Sequence, residues 1–253
     1  MTPPRPLPPG FLARPIAHRG LHARAAGRIE NSASAFRAAV AAGYGIECDV
    51  QASRDGEAMV FHDFTLDRLT GETGPLDARD AAALAGIPLA EGPDRIGTLA
   101  GLFDLVAGRV PLVVEVKSRF NGDTRLAGRI AALARAYAGP LVFKSFDPAQ
   151  IMALKAAGIE TPLGIVGMAR YDYPDYAHLD DAARHALANL LHFAESRPDF
   201  LSWHHLALPS AGPYLCRAAL GLPVMGWTIR TPEEARRAAP HLDQIVFEGF
   251  LPD

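Results

Sequence analysis

Short apolar runs bounded by glycine or proline recur along the chain, and most are followed by an alanine-rich stretch with helical spacing. RPIAH precedes SASAFRAAVAAG, YGIECDVQ precedes a long insert, and VPLVVEVK precedes DTRLAGRIAALARAYAG. PLVFKS then leads into DPAQIMALKAAG, TPLGIV into a helix around residues 180 to 195, and DFLSWH into PSAGPYLCRAALG. With LPVMGWTIR before TPEEARRAAP and a closing DQIVFEG, the pattern holds eight strands in alternating order. That order and length predict an α/β fold, a (β/α)₈ TIM barrel. A doubly wound open sheet shares the alternation, but neither GxGxxG nor GxxxxGK(S/T) follows the first strand to support it.

Local signals mark the helix ends. Ser32 or Ser34 is placed to cap the first helix and Gly43 to stop it, while Asp147-Pro148 and Thr231-Pro232 each set a capping side chain before a proline in the first turn. Between His62 and Val110 the chain is longer than one connecting helix requires. It carries the turn-rich LTGETGP and then LDARDAAALAGI, read as a short helix capped by Asp77. Residues 64–97 are therefore expected to form an inserted cap beside the barrel mouth, where it would select the substrate. Residues 1–13 are too rich in proline for helix or strand and read as an extended arm on a single domain spanning 1–253.

Composition narrows the partners. The chain has 253 residues, 49% hydrophobic and 21% charged, enough for one sizeable core. Net charge is -3 and the basic residues are scattered, which argues against nucleic acid or an anionic membrane surface and leaves room for a small anionic substrate. Cys48 and Cys216 form no CxxC pattern, so neither a disulfide framework nor a zinc knuckle is expected. With no apolar run long enough for a membrane span or signal segment, the expected location is cytoplasmic. No apolar stripe marks a subunit interface.

In a barrel, chemistry gathers at the C-terminal ends of strands. His18 and Arg19 end the first strand. Glu47 and Asp49 on the second are two residues apart and share a face, with Cys48 on the other; Glu115 and Lys117 repeat that spacing. VFHD supplies His62 and Asp63, Lys144 ends the fourth strand, His204 the sixth, Trp227 the seventh and Glu248 the last. If Glu47, Asp49 and Glu115 converge, each carboxylate pair at roughly 4 to 5 Å repels by about 3 to 4 kcal/mol at an effective dielectric near 20. Either protons neutralise them, through raised pKa values, or a divalent cation does, and three hard oxygen ligands favour Mg²⁺ or Ca²⁺ over zinc. A buried ion network with Lys117 and Arg19 is the alternative that needs no function. With one divalent cation, those three acids, Lys117 and Arg19 sum to about +1, suited to a phosphodiester. His18 and His62 remain as a pair for proton transfer.

These residues fall in motifs that resemble the glycerophosphodiester phosphodiesterase family: AHRG at 17–20, EN at 30–31, IECDV at 46–50, VFHDFTLDRLTGETG at 60–74 and VEVKS at 114–118. Weaker agreement through FKSFDP and VMGWTIRTPEE extends the resemblance over nearly the whole chain. It implies a TIM barrel with a small insertion, acting on phosphodiesters to release an alcohol and sn-glycerol 3-phosphate. By that resemblance His18 and His62 are the general acid/base pair, Glu47, Asp49 and Glu115 hold the metal, Arg19 and Lys117 bind phosphate, Glu30 supports them by hydrogen bonds, and Trp227 flanks the glycerol. The nucleophile is water or the substrate's own 2-hydroxyl. Where family members end the last strand in Thr-Asp, this chain reads FEGFLPD, a change expected to alter only the rim.

Within that reading, lysophospholipids and water-soluble diesters are both open as substrates, and the tyrosine-rich ARYDYPDY loop is a candidate wall for the leaving group. Lys144 and His204 are further candidates for substrate contact, with structural roles as the alternative. Two other classes compete. Lys117 at a strand end also suits a Schiff-base lyase, and a non-catalytic binding protein needs none of the proton chemistry.

Overall fold

The computed structural model describes residues 3–252. Ten strands form one sheet: β1 (Ile16–Ala17), β2 (Gly45–Ala52), β3 (Ala58–Val60), β4 (Gly97–Thr98), β5 (Leu112–Val116), β6 (Leu141–Ser145), β7 (Leu163–Gly167), β8 (Phe200–His204), β9 (Val224–Ile229) and β10 (Gln244–Phe247). Eight of them are parallel neighbours in the order β1-β10-β9-β8-β7-β6-β5-β2, and β2 pairs back to β1 to close the barrel. These are the eight runs read from the sequence. β2 outlasts its barrel partners, and its last residues pair antiparallel with β3, which pairs in turn with β4.

The helices are α1 (Ala33–Ala42), α2 (Ala81–Ala85), α3 (Leu99–Val106), α4 (Leu126–Ala136), α5 (Pro148–Ala156), α6 (Asp181–Ala188), α7 (Phe193–Ser196), α8 (Ala211–Leu220) and α9 (Pro232–Ala238). Ser32, not Ser34, caps α1 by accepting from the Ala35 N–H, and Gly43 ends it with φ +72°. Asp147 and Thr231 accept from Ala149 and Glu234 at the starts of α5 and α9. A large apolar layer joins the outward faces of the strands to the helices and takes in Cys48, as its parity requires. A smaller inner cluster of Ile16, Val113, Val142, Phe200, Met225 and Val246 fills the barrel at its N-terminal end.

The proline-rich arm lies against that lower end; its first two residues fall outside the described range. Phe11 is buried in the inner cluster, Gln244 donates to the carbonyls of Phe11 and Arg14, and the Arg5 N–H donates to Asp199 at 2.7 Å.

Residues 64–97 differ from expectation in two respects. Asp77 does not cap a helix: it sits inside a 3₁₀ turn at Leu76–Ala78, and Asp80 precedes α2. Asp80 pairs with Arg54 instead, leaving the first-turn N–H of Ala81 to Asp55 at 2.9 Å. The segment also folds over its own core of Leu66, Leu69, Leu76, Leu84, Leu89 and Ile96 against Met59 and Phe61 of the β3 edge. None of its residues is among those lining the central cleft, although Phe64 lines a smaller recess that shares Glu115, Lys117, Phe146 and Tyr176 with it.

Candidate active site

β1 stops at Ala17 because the backbone turns sharply. His18 donates its N–H to the Phe247 carbonyl, and Arg19 and Gly20 both take positive φ, +55° and +79°. A Cβ on Gly20 would lie 2.9 Å from Phe36 Cδ1 and 3.0 Å from the Ala35 carbonyl carbon, so the position needs glycine for space as well as conformation. Asn31, also at positive φ (+56°), donates its N–H to the Arg19 carbonyl. Two non-glycine residues in the left-handed region, tied to each other, mark a backbone held for the side chains it presents.

Parity and register then assemble the acids. Asp49 sits in register with Glu115, and Glu115 with Lys144, giving one row across β2, β5 and β6. Oxygens of Glu47, Asp49 and Glu115 lie within 4.8 Å of one another, and all three residues are buried. Lys144 Nζ is 3.0 Å from Glu47 Oε1 and 3.3 Å from Glu115 Oε2. Lys117 Nζ is 3.3 Å from Glu115 Oε1 and 3.9 Å from Asp49 Oδ1, and Arg19 Nε is 3.4 Å from Asp49 Oδ2. Asn31 Nδ2 donates to Asp49 at 2.9 Å.

Burial opposes charge on Asp49 and Glu115, yet the facing cations hold both carboxyls below their ordinary range. Burial likewise opposes charge on Lys117 and Lys144, and the carboxylates outweigh it and raise both. Both lysines are therefore ammonium groups, which removes the free amine a Schiff-base lyase needs. Lys144 adds a positive charge that the sequence count left out: three acids face three cations before any metal is considered.

The donor set nonetheless fits a hard divalent ion. Three carboxylates converge from two rigid strands, with no nitrogen or sulfur ligand among them. Arg19, which lines the same cleft, has a buried Nε that makes no hydrogen bond, its distance to Asp49 Oδ2 being 3.4 Å, so this donor has capacity for a further oxygen.

Each histidine is backed by a carboxylate. His62 Nδ1 lies 2.7 Å from Asp63 Oδ1, and His18 Nδ1 lies 2.6 Å from Glu248 Oε2. An ionised carboxylate accepts only, so both Nδ1 atoms carry a proton. His62 Nε2 lies 3.3 Å from Lys117 Nζ and accepts from it, whereas His18 Nε2 lies 4.0 Å from Glu47 Oε2. Glu30 does not touch the acids; it receives Arg19 at 2.5 Å and a two-pronged contact from Arg68, which also grips Asp63. Burial raises the Glu30 carboxyl, and these guanidinium groups more than reverse it, down to about 2.

Three contributors escaped sequence reading. Glu248, expected only to alter the rim, reaches His18 directly because barrel closure sets β10 beside β1. Asn31 was visible in the EN motif, but its turn toward Asp49 depends on a positive φ. Arg68 lies in the LDRL stretch and carried no signal distinguishing it from a solvated arginine.

The side chains open into a cleft of about 380 Å³. Its lining combines the charged and imidazole groups of His18, Arg19, Asp49, His62, Glu115, Lys117 and Lys144 with the larger side chains of Phe146, Met168, Tyr173, Tyr176, His204 and Trp227. Trp227 donates its indole N–H to the Ser202 carbonyl and packs edge-on against Phe146 and His204. The apolar part of the lining thus comes from the segments after β6 and β7 and from His204 of β8 and Trp227 of β9. Among the described residues no helix is long and apolar enough to cross a membrane.

Comparison with known proteins agrees with this picture. A protein of Caldanaerobacter subterraneus subsp. tengcongensis named glycerophosphodiester phosphodiesterase is 39% identical over 111 residues, covering 41% of this chain and 44% of that protein. The chain thus matches less than half of that relative's length. A Thermotoga maritima glycerophosphodiester phosphodiesterase superposes with a TM-score of 0.68 at 24% identity, covering 92% of this chain and 94% of that one. A phosphodiesterase from Oleispira antarctica, solved in complex with the product sn-glycerol-3-phosphate, gives a TM-score of 0.75 at 22% identity, over 96% and 93%. At these identities the two structures speak for the barrel alone. The model of the glycerophosphoryl diester phosphodiesterase family matches residues 18–242, and the chain belongs to that family.

Proposed function

We propose that this chain hydrolyses a glycerophosphodiester to an alcohol and sn-glycerol 3-phosphate. The observation that carries the proposal is the pair of imidazoles, each backed by a carboxylate, opening on one cleft that Arg19 and Lys117 also line. A diester needs a proton removed from the nucleophile and one delivered to the leaving alkoxide, with positive charge on the phosphoryl oxygens meanwhile. Membership of the family supports the reading, as does the sn-glycerol-3-phosphate held by the Oleispira antarctica protein of the same fold.

His62 is assigned as the base, since its Nε2 accepts a hydrogen bond and so offers a lone pair, with Asp63 fixing the ring. His18 is assigned as the acid, its Nε2 facing the Glu47 carboxylate and Glu248 fixing Nδ1. Arg19 and Lys117 take the phosphate, and Glu30 holds Arg19 in place. Trp227 and Phe146 provide the flat apolar surface against which the glycerol carbons pack. Glu47, Asp49 and Glu115 would hold one divalent cation, Mg²⁺ or Ca²⁺, which when bound supplies charge neutralisation at the phosphoryl oxygens.

The free, buried Cys48 and Cys216 support a cytoplasmic setting. Incubation with glycerophosphocholine followed by ³¹P NMR tests the reaction: the diester resonance is expected to give way to that of glycerol 3-phosphate. Release of a phosphocholine resonance, or an unchanged spectrum across a panel of glycerophosphodiesters, would overturn it.

A further inference from the structure

We propose that Lys144 is a resident counter-cation, which weakens the hold of Glu47, Asp49 and Glu115 on a divalent ion and keeps the three acids assembled when none is bound. The inference rests on reading those acids as a metal site. Arg19 and Lys117 each have other engagements, Arg19 with Glu30 and Lys117 with His62, and both are aimed at substrate. Lys144 has none: among the described residues its ion pairs are to Glu47 Oε1 and Glu115 Oε2 alone, and although it belongs to the cleft lining it is only 2% exposed. It occupies the β6 position of the row that begins at Asp49 and passes through Glu115. Its next neighbour in register, Gly164, offers no side chain.

Lys144 also spans a gap that the sheet leaves. Glu47 is in register with Val113, not with Glu115, so the two glutamates are diagonal neighbours on adjacent strands and are not directly opposed. A single ammonium bridges one oxygen of each, while Glu47 Oε2 accepts the Arg19 backbone N–H at 3.1 Å and Glu115 Oε1 accepts from Lys117. Without Lys144 the three carboxylates would face two cations and carry a net negative charge. With it they are balanced, and a divalent ion enters a neutral set instead of a negative one. At spacings of a few ångströms in a buried site, one unit charge changes ion affinity by a large factor.

The test is calorimetric titration of the intact protein with Mg²⁺, Ca²⁺ and Mn²⁺, beside thermal melts with and without metal. Lys144→Gln is expected to bind one ion at least about tenfold more tightly than the wild type, close to 1.4 kcal/mol. Its metal-free form should melt lower, and metal should raise its melting temperature by more than it raises the wild type's. Lys144→Arg keeps the charge and is expected to stay within about threefold of wild-type affinity.

Equal affinity in wild type and Lys144→Gln would overturn the inference, as would tightening by Lys144→Arg to the same extent. A Lys144→Gln protein that folds only with metal supports it, and one that stays unfolded at saturating Mg²⁺ contradicts it. Absence of any divalent binding to the wild type is a different failure: it removes the metal reading of the three acids, and the role of Lys144 with it.

Discussion

His18 Nδ1 and Glu248 Oε2 stand 2.6 Å apart although the residues lie at opposite ends of the chain. The same carboxylate group receives Arg230 at 2.8 Å, and its Oε2 lies 3.4 Å from His22 Nε2. Burial would raise the Glu248 carboxyl, but the hydrogen bonds from His18 and His22 dominate and hold it far below its usual range. It is therefore a fixed anion that sets the ring of His18 and its tautomer. Glu248→Gln should lower kcat by about 10- to 100-fold, within what proton transfer supplies, while KM stays within about threefold. Steady-state kinetics check this, and an unchanged kcat would make Glu248 a rim residue after all.

The two histidines should respond differently to the leaving group. A substrate that releases p-nitrophenolate needs no proton on departure, so His18→Ala should recover most of its lost rate on it. His62→Ala should stay about 100-fold down or more on both kinds of substrate. Rates on glycerophosphocholine and on the nitrophenyl diester give the comparison, and the reverse pattern would exchange the two roles.

Glu30 ties acid stability to the site. Its folded value of about 2 lies below the ordinary 4.5, so its contribution is fully present above pH 4.5 and is lost as pH falls toward 2. Glu30→Gln should cost on the order of 1–3 kcal/mol near neutrality, allowing for the partial exposure of Arg68. The gap between the two melting curves should close between about pH 4.5 and about pH 2. A gap that is constant with pH would show that Arg19 and Arg68 draw no net stability from the carboxylate.

Gly20→Ala meets both a positive φ and Phe36 and Ala35 at contact distance. It should cost about 2–4 kcal/mol in urea unfolding, against well under 1 kcal/mol for an exposed glycine of ordinary φ. A neutral substitution would mean that the turn after β1 yields without effort.

The barrel was legible because each strand is a short apolar run and several helices begin at a side chain that caps them. The acids were legible through parity: Glu47 with Asp49, and Glu115 with Lys117, fix their faces whatever the rest of the chain does. What stayed hidden depends on closure or on backbone twist. Glu248 meets His18 only because β10 joins β1, and Asn31 reaches Asp49 only from the left-handed region. Residues 64–97 had the right length for a cap, but that most of their apolar positions pack on the β3 edge is a choice that loop length does not encode.

The most direct measurement is the initial rate of sn-glycerol 3-phosphate release from glycerophosphocholine by the wild type, His18→Ala and His62→Ala, each before chelation, after it and after Mg²⁺ or Ca²⁺ is restored. Release by the wild type is expected to be abolished by chelation and restored by metal, and release by either variant to be at least about 100-fold slower under all three conditions. Undiminished release by both histidine variants, or by the fully chelated wild type, would contradict it.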